Sequence, residues 1–138
     1  MVEVGEYEVK EGLYYSENDL WASVEDGKVR IGVTDYAQKQ LKEIVFVELP
    51  GVGSKVSQGE SFGAVESVKA VSDLVAPVSG TVIEQNDEVE GSPEKINEDP
   101  YGEGWVIVVD PSDLEAELKN LLDFNAAVER HEELVKEG

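Results

Sequence analysis

From Tyr7 to Val109 the chain is a succession of short β-prone runs cut by glycine and proline, and this rhythm constrains the fold before any single residue is weighed. Tyr7 to Val9 and Leu13 to Tyr15 are split by Gly12. Trp21 to Glu25 and Lys28 to Val33 flank Asp26-Gly27, a dipeptide suited to a type I′ turn because both central residues accept positive φ. Ile44 to Leu49 is a compact apolar run stopped by Pro50-Gly51 and reads as a well-buried strand. Val52 to Glu60 suits an exposed loop around a short strand. Ser61 to Ser67 and Ala70 to Ala76 read as the arms of a hairpin with Lys69 at its tip. Thr81 to Gln85, launched from Ser79-Gly80, and Trp105 to Val109 complete the strands.

Helical signals are fewer and sit at the margins. Thr34 offers an N-cap and Asp35 complements the helix dipole, while Tyr36, Ala37, Gln40 and Leu41 recur at helical spacing, so a short helix is expected over Thr34 to Lys42. The polar, acidic stretch from Asn86 to Asp99 carries Pro93, placed to start a helical turn ending near Asn97. Ser112 with Glu115 three residues on makes a capping box, and Leu114, Leu118, Leu121 and Leu122 give an apolar stripe. Phe124, Ala127, Val128 and Leu134 extend it after a break near Asp123. Many short strands followed by helices predict a mainly β sandwich or barrel with a helical appendix. The expected organisation is one domain over residues 1–138, with a β core over about 7–110 and a helical segment over about 112–137.

Charge and composition then narrow the function classes. Acidic residues number 31 against 11 basic, a net charge of -20, which repels nucleic acid and anionic membranes and favours partners with basic faces. There is no cysteine, hence no disulfide, thiolate nucleophile or sulfur metal site. The one histidine, His131, stands among Glu129, Arg130, Glu132 and Glu133 and reads as a solvated helix residue. Triads and histidine-based acid–base pairs are therefore nearly out of reach. Met1 to Lys10 lacks the basic start and apolar core of a secretory signal, and no stretch approaches a membrane span, so a cytoplasmic location is expected.

Two acidic clusters, Glu84/Asp87/Glu88/Glu90 and Glu94/Glu98/Asp99, lack the alternating ligand order and bend glycine of a calcium loop and read as solvated faces. No metal site is expected. Gly51-x-Gly53 is not followed by a helix pattern, and the basic residues have no interleaved aromatic platform. Trp21 and Trp105 read as core anchors. An exposed lysine on a turn is a commonplace of protein surfaces. Yet Lys69 is where chemistry can enter such a chain, because a lysine amine can be acylated and so can carry a prosthetic group. It stands between small residues, Ser67, Ala70 and Ser72, with β-branched arms behind it.

The segments Glu66-Ser67-Val68-Lys69-Ala70 with Ser72-Asp73, then Ala76-Pro77-Val78-Ser79-Gly80, resemble the lipoylation segment of the glycine cleavage system H protein family. Gly32 to Gln38, Val45 to Pro50, Phe62 to Glu66, Ile96-Asn97, Asp99-Pro100-Tyr101 and Gly104-Trp105 are similar to other segments of that family, over about Gly12 to Leu122. The resemblance implies a barrel-sandwich hybrid of the lipoyl/biotinyl-carrier kind, with lipoic acid attached covalently to Lys69 and Glu66, Asp73 and Gly80 read during lipoylation. It implies a carrier rather than an enzyme. A pyridoxal-phosphate glycine decarboxylase (P protein) would load an aminomethyl group on the arm, an aminomethyltransferase (T protein) would take the one-carbon unit, and a dihydrolipoyl dehydrogenase (L protein) would reoxidise the dithiol. A lipoate ligase or a lipoyl/octanoyl transferase would attach the cofactor.

The family's cleft for the loaded arm maps onto Asn18, Asp19, Leu20, Gln40 and Asp73. Where the family usually reads His-Glu-Trp, this chain reads Asp19-Leu20-Trp21, and Gln40 stands where a histidine is frequent. Biotin carriers of the same fold place their lysine between methionines, whereas Lys69 lies between Val68 and Ala70. Two alternatives stand beside the glycine cleavage reading: a similar lipoyl carrier in another pathway, such as sulfur transfer, and an interaction module in which Lys69 is merely exposed.

Overall fold

A computed structural model describes residues 1–137. β1 (Val2–Val4) and β2 (Tyr7–Val9) form a small antiparallel ribbon turned at Gly5. β1, three residues with Val4 its one buried side chain, has no hydrophobic pattern long enough to mark it in advance. β3 (Tyr14–Tyr15), β4 (Leu20–Glu25) and β5 (Lys28–Val33) follow. The β4–β5 turn is the expected one, with Asp26 at φ 50° and Gly27 at φ 77°. α1 (Asp35–Leu41) starts at Thr34, whose hydroxyl accepts from the Ala37 N–H at 3.1 Å.

β6 (Ile44–Glu48), β7 (Lys55–Val56), β8 (Ser61–Ser67), β9 (Val71–Val75) and β10 (Gly80–Gln85) run on through the turns read from the sequence. α2 (Asp87–Gly91), not foreseen, is capped by Asn86, and α3 (Lys95–Glu98) lies after Pro93 as expected. β11 (Ile107–Pro111) begins two residues later than expected, and α4 (Leu114–Leu118) and α5 (Phe124–Glu137) close the chain. No helix among the described residues is long and apolar enough to cross a membrane.

The strands form a six-stranded sheet in the order β3-β4-β5-β11-β10-β7, a three-stranded sheet β6-β8-β9, and the β1-β2 ribbon. The main core lies between the two larger sheets, where Leu20, Ile31 and Val109 share one cluster with Ile44, Val65 and Leu74. A second cluster joins Val4, Val9, Tyr15, Trp21, Tyr101 and Ala127, tying α5 to the ribbon and the sheet edge. Gly32 is needed here because a Cβ would overlap the Trp21 indole.

Several expectations are corrected. The Ile44–Leu49 run is not well buried: Val45 and Phe46 are 50% and 54% exposed. A register shift between Ile44 and Phe46 breaks the alternation, and this sheet buries only its inner face, Ile44 and Val47 on β6. His131 is not solvated; it is 2% exposed, and its Nδ1 lies 2.7 Å from the Ala127 carbonyl oxygen. Trp21 is a core anchor, but Trp105 is only half-buried, with the Arg30 guanidinium 5.4 Å from its ring centre. The capping box does not form: Asp113 takes the N-cap without a side-chain bond, because the Ser112 N–H is committed to the Ser79 carbonyl at 3.1 Å.

Candidate functional site

The tip of the β8–β9 hairpin is built around one hydroxyl. Glu66 pairs with Val71, and the Ser67 N–H donates to the Ala70 carbonyl at 2.8 Å, leaving Val68 and Lys69 to turn the chain. Neither has positive φ, so this is not a primed turn. Buried Ser67 supplies what the backbone geometry lacks: its Oγ accepts from the N–H of Lys69 (3.3 Å) and of Ala70 (3.1 Å) and donates to the Ala70 carbonyl (3.3 Å). Three bonds from one side chain fix the direction in which Lys69 leaves the sheet. Lys69 is exposed, and among the described residues no ion pair holds its ammonium.

The hairpin's base is clamped from α4. The Glu117 carboxylate accepts from the Ser79 N–H at 2.7 Å and from its hydroxyl at 2.6 Å, and the Gln58 amide donates to the Pro77 and Glu117 carbonyls. Gly80 sits just beyond, where a Cβ would overlap the Asp110 carbonyl of β11. The packing of the two strands thus requires glycine at that position.

The residues expected to matter fall in several places. Glu66 and Asp73 are both exposed and project from the same outer face of the three-stranded sheet, since Asp73 pairs with Ala64 and Ala64 lies two residues from Glu66. Gly80 lies on the other sheet. The five cleft positions do not share a cavity. Asp73 lines a groove of about 450 Å³ with Glu48, Lys55 and Phe62. Asn18 lines another of about 340 Å³ with Gln58, Pro77 and Asn120. Gln40 lines a third and donates to the Tyr7 hydroxyl at 2.9 Å. Leu20 is 2% exposed and belongs to the core. Asp19 (φ 66°) is tied to α5, its carboxylate 2.6 Å from the Arg130 guanidinium.

That pairing lies beside an aromatic layer in which Tyr36 meets Tyr7 and His131 edge to face. Burial first, then the nearby Asp19 charge, pushes the Tyr36 hydroxyl up from the usual tyrosine range. Sequence reasoning missed Ser67 as the lock of the turn, Glu117 as the clamp and Arg130 as the partner of Asp19. A serine two residues before the tip is a signal for the first. The others join residues 38 and 111 positions apart in the chain, with no local signal.

A lysine-linked acyl group needs an unpaired amine on a tip that a second protein can enclose, small neighbours, and a backbone that holds its course. Lys69, Ala70 and Ser67 provide these, so the residues present fit the group. A two-sheet sandwich displaying such a lysine defines a carrier domain of the lipoyl/biotinyl kind.

Comparison with known proteins takes this further. The family described as Glycine cleavage H-protein matches residues 13–134. The "Probable glycine cleavage system H protein" of Pyrococcus abyssi is 58% identical over 137 residues, covering 99% of this chain and 98% of its own. The glycine cleavage system H protein of Geobacillus sp. strain WCH70 is 54% identical over 126 residues, covering 91% of this chain and 95% of its own. The crystal structure of a glycine cleavage system H protein from Mycobacterium marinum, 43% identical, superposes with a TM-score of 0.72 over 75% of this chain and 87% of that one. The chain belongs to the glycine cleavage H-protein family. It is a lipoyl carrier component of the glycine cleavage system rather than an enzyme, and its covalent cofactor is lipoic acid.

Proposed function

We propose that Lys69 is the residue that carries the lipoyl group, and that Glu66, Asp73 and Gly80 are read by the enzyme that attaches it. The observation that carries this reading is an amine without an ion-pair partner among the described residues, at a tip whose backbone is tied by the Ser67 hydroxyl. When bound, the lipoyl group supplies a dithiolane able to take up a one-carbon amine together with two electrons. Everything else falls to the chain. Ser67 aims the attachment point, Glu117 and Gln58 hold the hairpin's base, and Glu66 and Asp73 present negative charge to basic partner surfaces. Gly80 acts through packing, keeping β10 close to β11.

The partners in this reading are the pyridoxal-phosphate glycine decarboxylase, the aminomethyltransferase, the dihydrolipoyl dehydrogenase, and a lipoate ligase or lipoyl/octanoyl transferase, all meeting the carrier in the cytoplasm. Of the five positions expected to shelter a loaded arm, Asp73 keeps the role, since its carboxylate stands on the hairpin itself and lines the adjoining groove. Asp19 serves the fold instead, through Arg130. Lipoylated protein reconstituted with its cognate decarboxylase is expected to support glycine–bicarbonate exchange, and Lys69→Arg protein treated identically to lose it. Exchange by the arginine variant, or none by protein verified as lipoylated, would overturn the reading.

A further inference from the structure

The outer face of the β6-β8-β9 sheet carries an apolar strip that neither the core nor the charge of the molecule explains. Phe46 pairs with Glu66 and Glu66 with Val71, so the three side chains stand in one row across the face, immediately behind the tip. Phe46 is 54% exposed, Val71 64% and Val68, on the turn itself, 78%. Val45, at the register shift of β6, is 50% exposed beside them. The next row along the same face is Glu48, Ala64 and Asp73. Four exposed hydrophobic side chains thus surround one glutamate and border an acidic row, on a chain whose net charge is -20. Solubility does not call for such a strip; an interface with an apolar centre and a polar rim does.

The position of the strip selects its occupant. Building on the reading of Lys69 as the acylated residue, attachment forms an amide between Nζ and the carbonyl carbon of an activated acyl donor. The bond from that carbon to its leaving group, in a mixed anhydride or a thioester, is broken. The amine gives up a proton, and no electrons change hands. For this, the acylating enzyme has to take the lysine into its active site and close over the side chains next to it. Enzymes that act on the far end of a loaded arm meet it at the arm's length from the hairpin and are under no such requirement.

We propose that Val45, Phe46, Val68 and Val71 are the docking strip for the enzyme that acylates Lys69. That enzyme presents an apolar cleft edged with basic side chains, and the edge meets Glu66, Glu48 and Asp73. The complement follows from the charge on the face, since an acidic rim excludes an acidic partner edge.

The test measures loading of the unmodified protein by the acylating enzyme of the same host, with its activated acyl donor, followed by intact mass. Val71→Thr keeps a β-branched residue and Phe46→Thr places one on the strand, and their thermal unfolding reports whether the fold is intact. Each is expected to raise the KM for loading about tenfold, the size of a moderate interface contact. Val24→Ser, an exposed valine on the other sheet, is expected to load as wild type. Loading of folded Phe46→Thr and Val71→Thr at the wild-type KM overturns the docking strip. So does normal loading combined with a fall only in exchange with the decarboxylase, which would give the strip to a different partner. Wild-type protein that acquires no acyl group at Lys69 instead refutes the attachment site, so the two failures are distinct.

Discussion

Lys69 and His131 are the two side chains of this molecule most suited to chemistry, and the fold treats them in opposite ways. Lys69 is pushed into solvent by a turn whose bonds all come from its neighbour Ser67, leaving its own amine unspent. His131 is sealed between the rings of Tyr15 and Tyr36, with Nδ1 turned to the Ala127 carbonyl and Nε2 buried without a partner. At the hairpin the hydrogen bonds position a group for use by another molecule. At the helix-covered end they and the packing consume the polar groups to hold α5 on the ribbon and sheet edge. Chemical capacity in a side chain becomes function only where the fold leaves it both reachable and unpaired. By that measure one end of the molecule is scaffold and the other is display.

The contrast breaks most sharply at Trp21. It is 1% exposed and its Nε1–H donates to the Val33 and Pro100 carbonyls at 3.1 and 2.9 Å. Trp21→Ala is expected to cost about 3–5 kcal/mol of stability in urea unfolding. Lys69→Arg, at the display end, is expected to stay within about 0.5 kcal/mol of wild type. Equal losses at both sites would erase the distinction.

Alkaline pH probes the scaffold alone. Burial pushes the Tyr15 hydroxyl up to about 12, and burial raises Tyr101 further still. A phenol that ionises less readily in the folded protein than in the unfolded chain stabilises the fold fully below about pH 10. That contribution is lost as the pH climbs from there through about 12, on the order of 2 kcal/mol for Tyr15. Unfolding midpoints should therefore fall over this window, and the fall should be shallower in Tyr15→Phe. Parallel curves for the two proteins would contradict the assignment.

Smaller effects sharpen the same line. Arg130→Met removes the half-buried pair with Asp19 and the bond to the Glu17 carbonyl, and is expected to cost about 1 kcal/mol in urea unfolding while leaving lipoylation intact. Ser67→Ala is expected to cost a similar or smaller amount, about 0.5–1 kcal/mol, yet to slow lipoylation, because it frees the turn rather than the core. Lipoylation as fast as wild type in Ser67→Ala would mean that the turn's direction is set elsewhere.

These contrasts also show what the sequence could and could not disclose. Turn chemistry is local, so the Asp26-Gly27 hairpin, the Thr34 cap and the arms around Lys69 were legible from neighbouring residues alone. Which face of a strand is covered is not local. The apolar run of β6 looked buried, and only the sheet pairing, with its shift at Val45, turns Phe46 outward. The charged neighbours of His131 masked a signal that was present, for it stands four residues after Ala127 and three before Leu134, on the helix's apolar stripe. The capping box lost to a bond with Ser79, a partner far away in the chain. Of the candidate site, Lys69, Glu66 and Asp73 stand within one hairpin and so lie close together in the sequence, whereas Glu117 and Arg130 act across the fold and left no trace in sequence spacing.

Lys69 as the point of lipoyl attachment is tested most directly by mass. Protein isolated from its native host, or co-produced with a lipoate-attaching enzyme, is to be measured by intact mass and peptide mapping, with Lys69→Arg as control. One lipoyl group on the peptide containing Lys69, absent from the arginine variant, is the predicted result. A wholly unmodified population, or the group found on any other lysine, would contradict it.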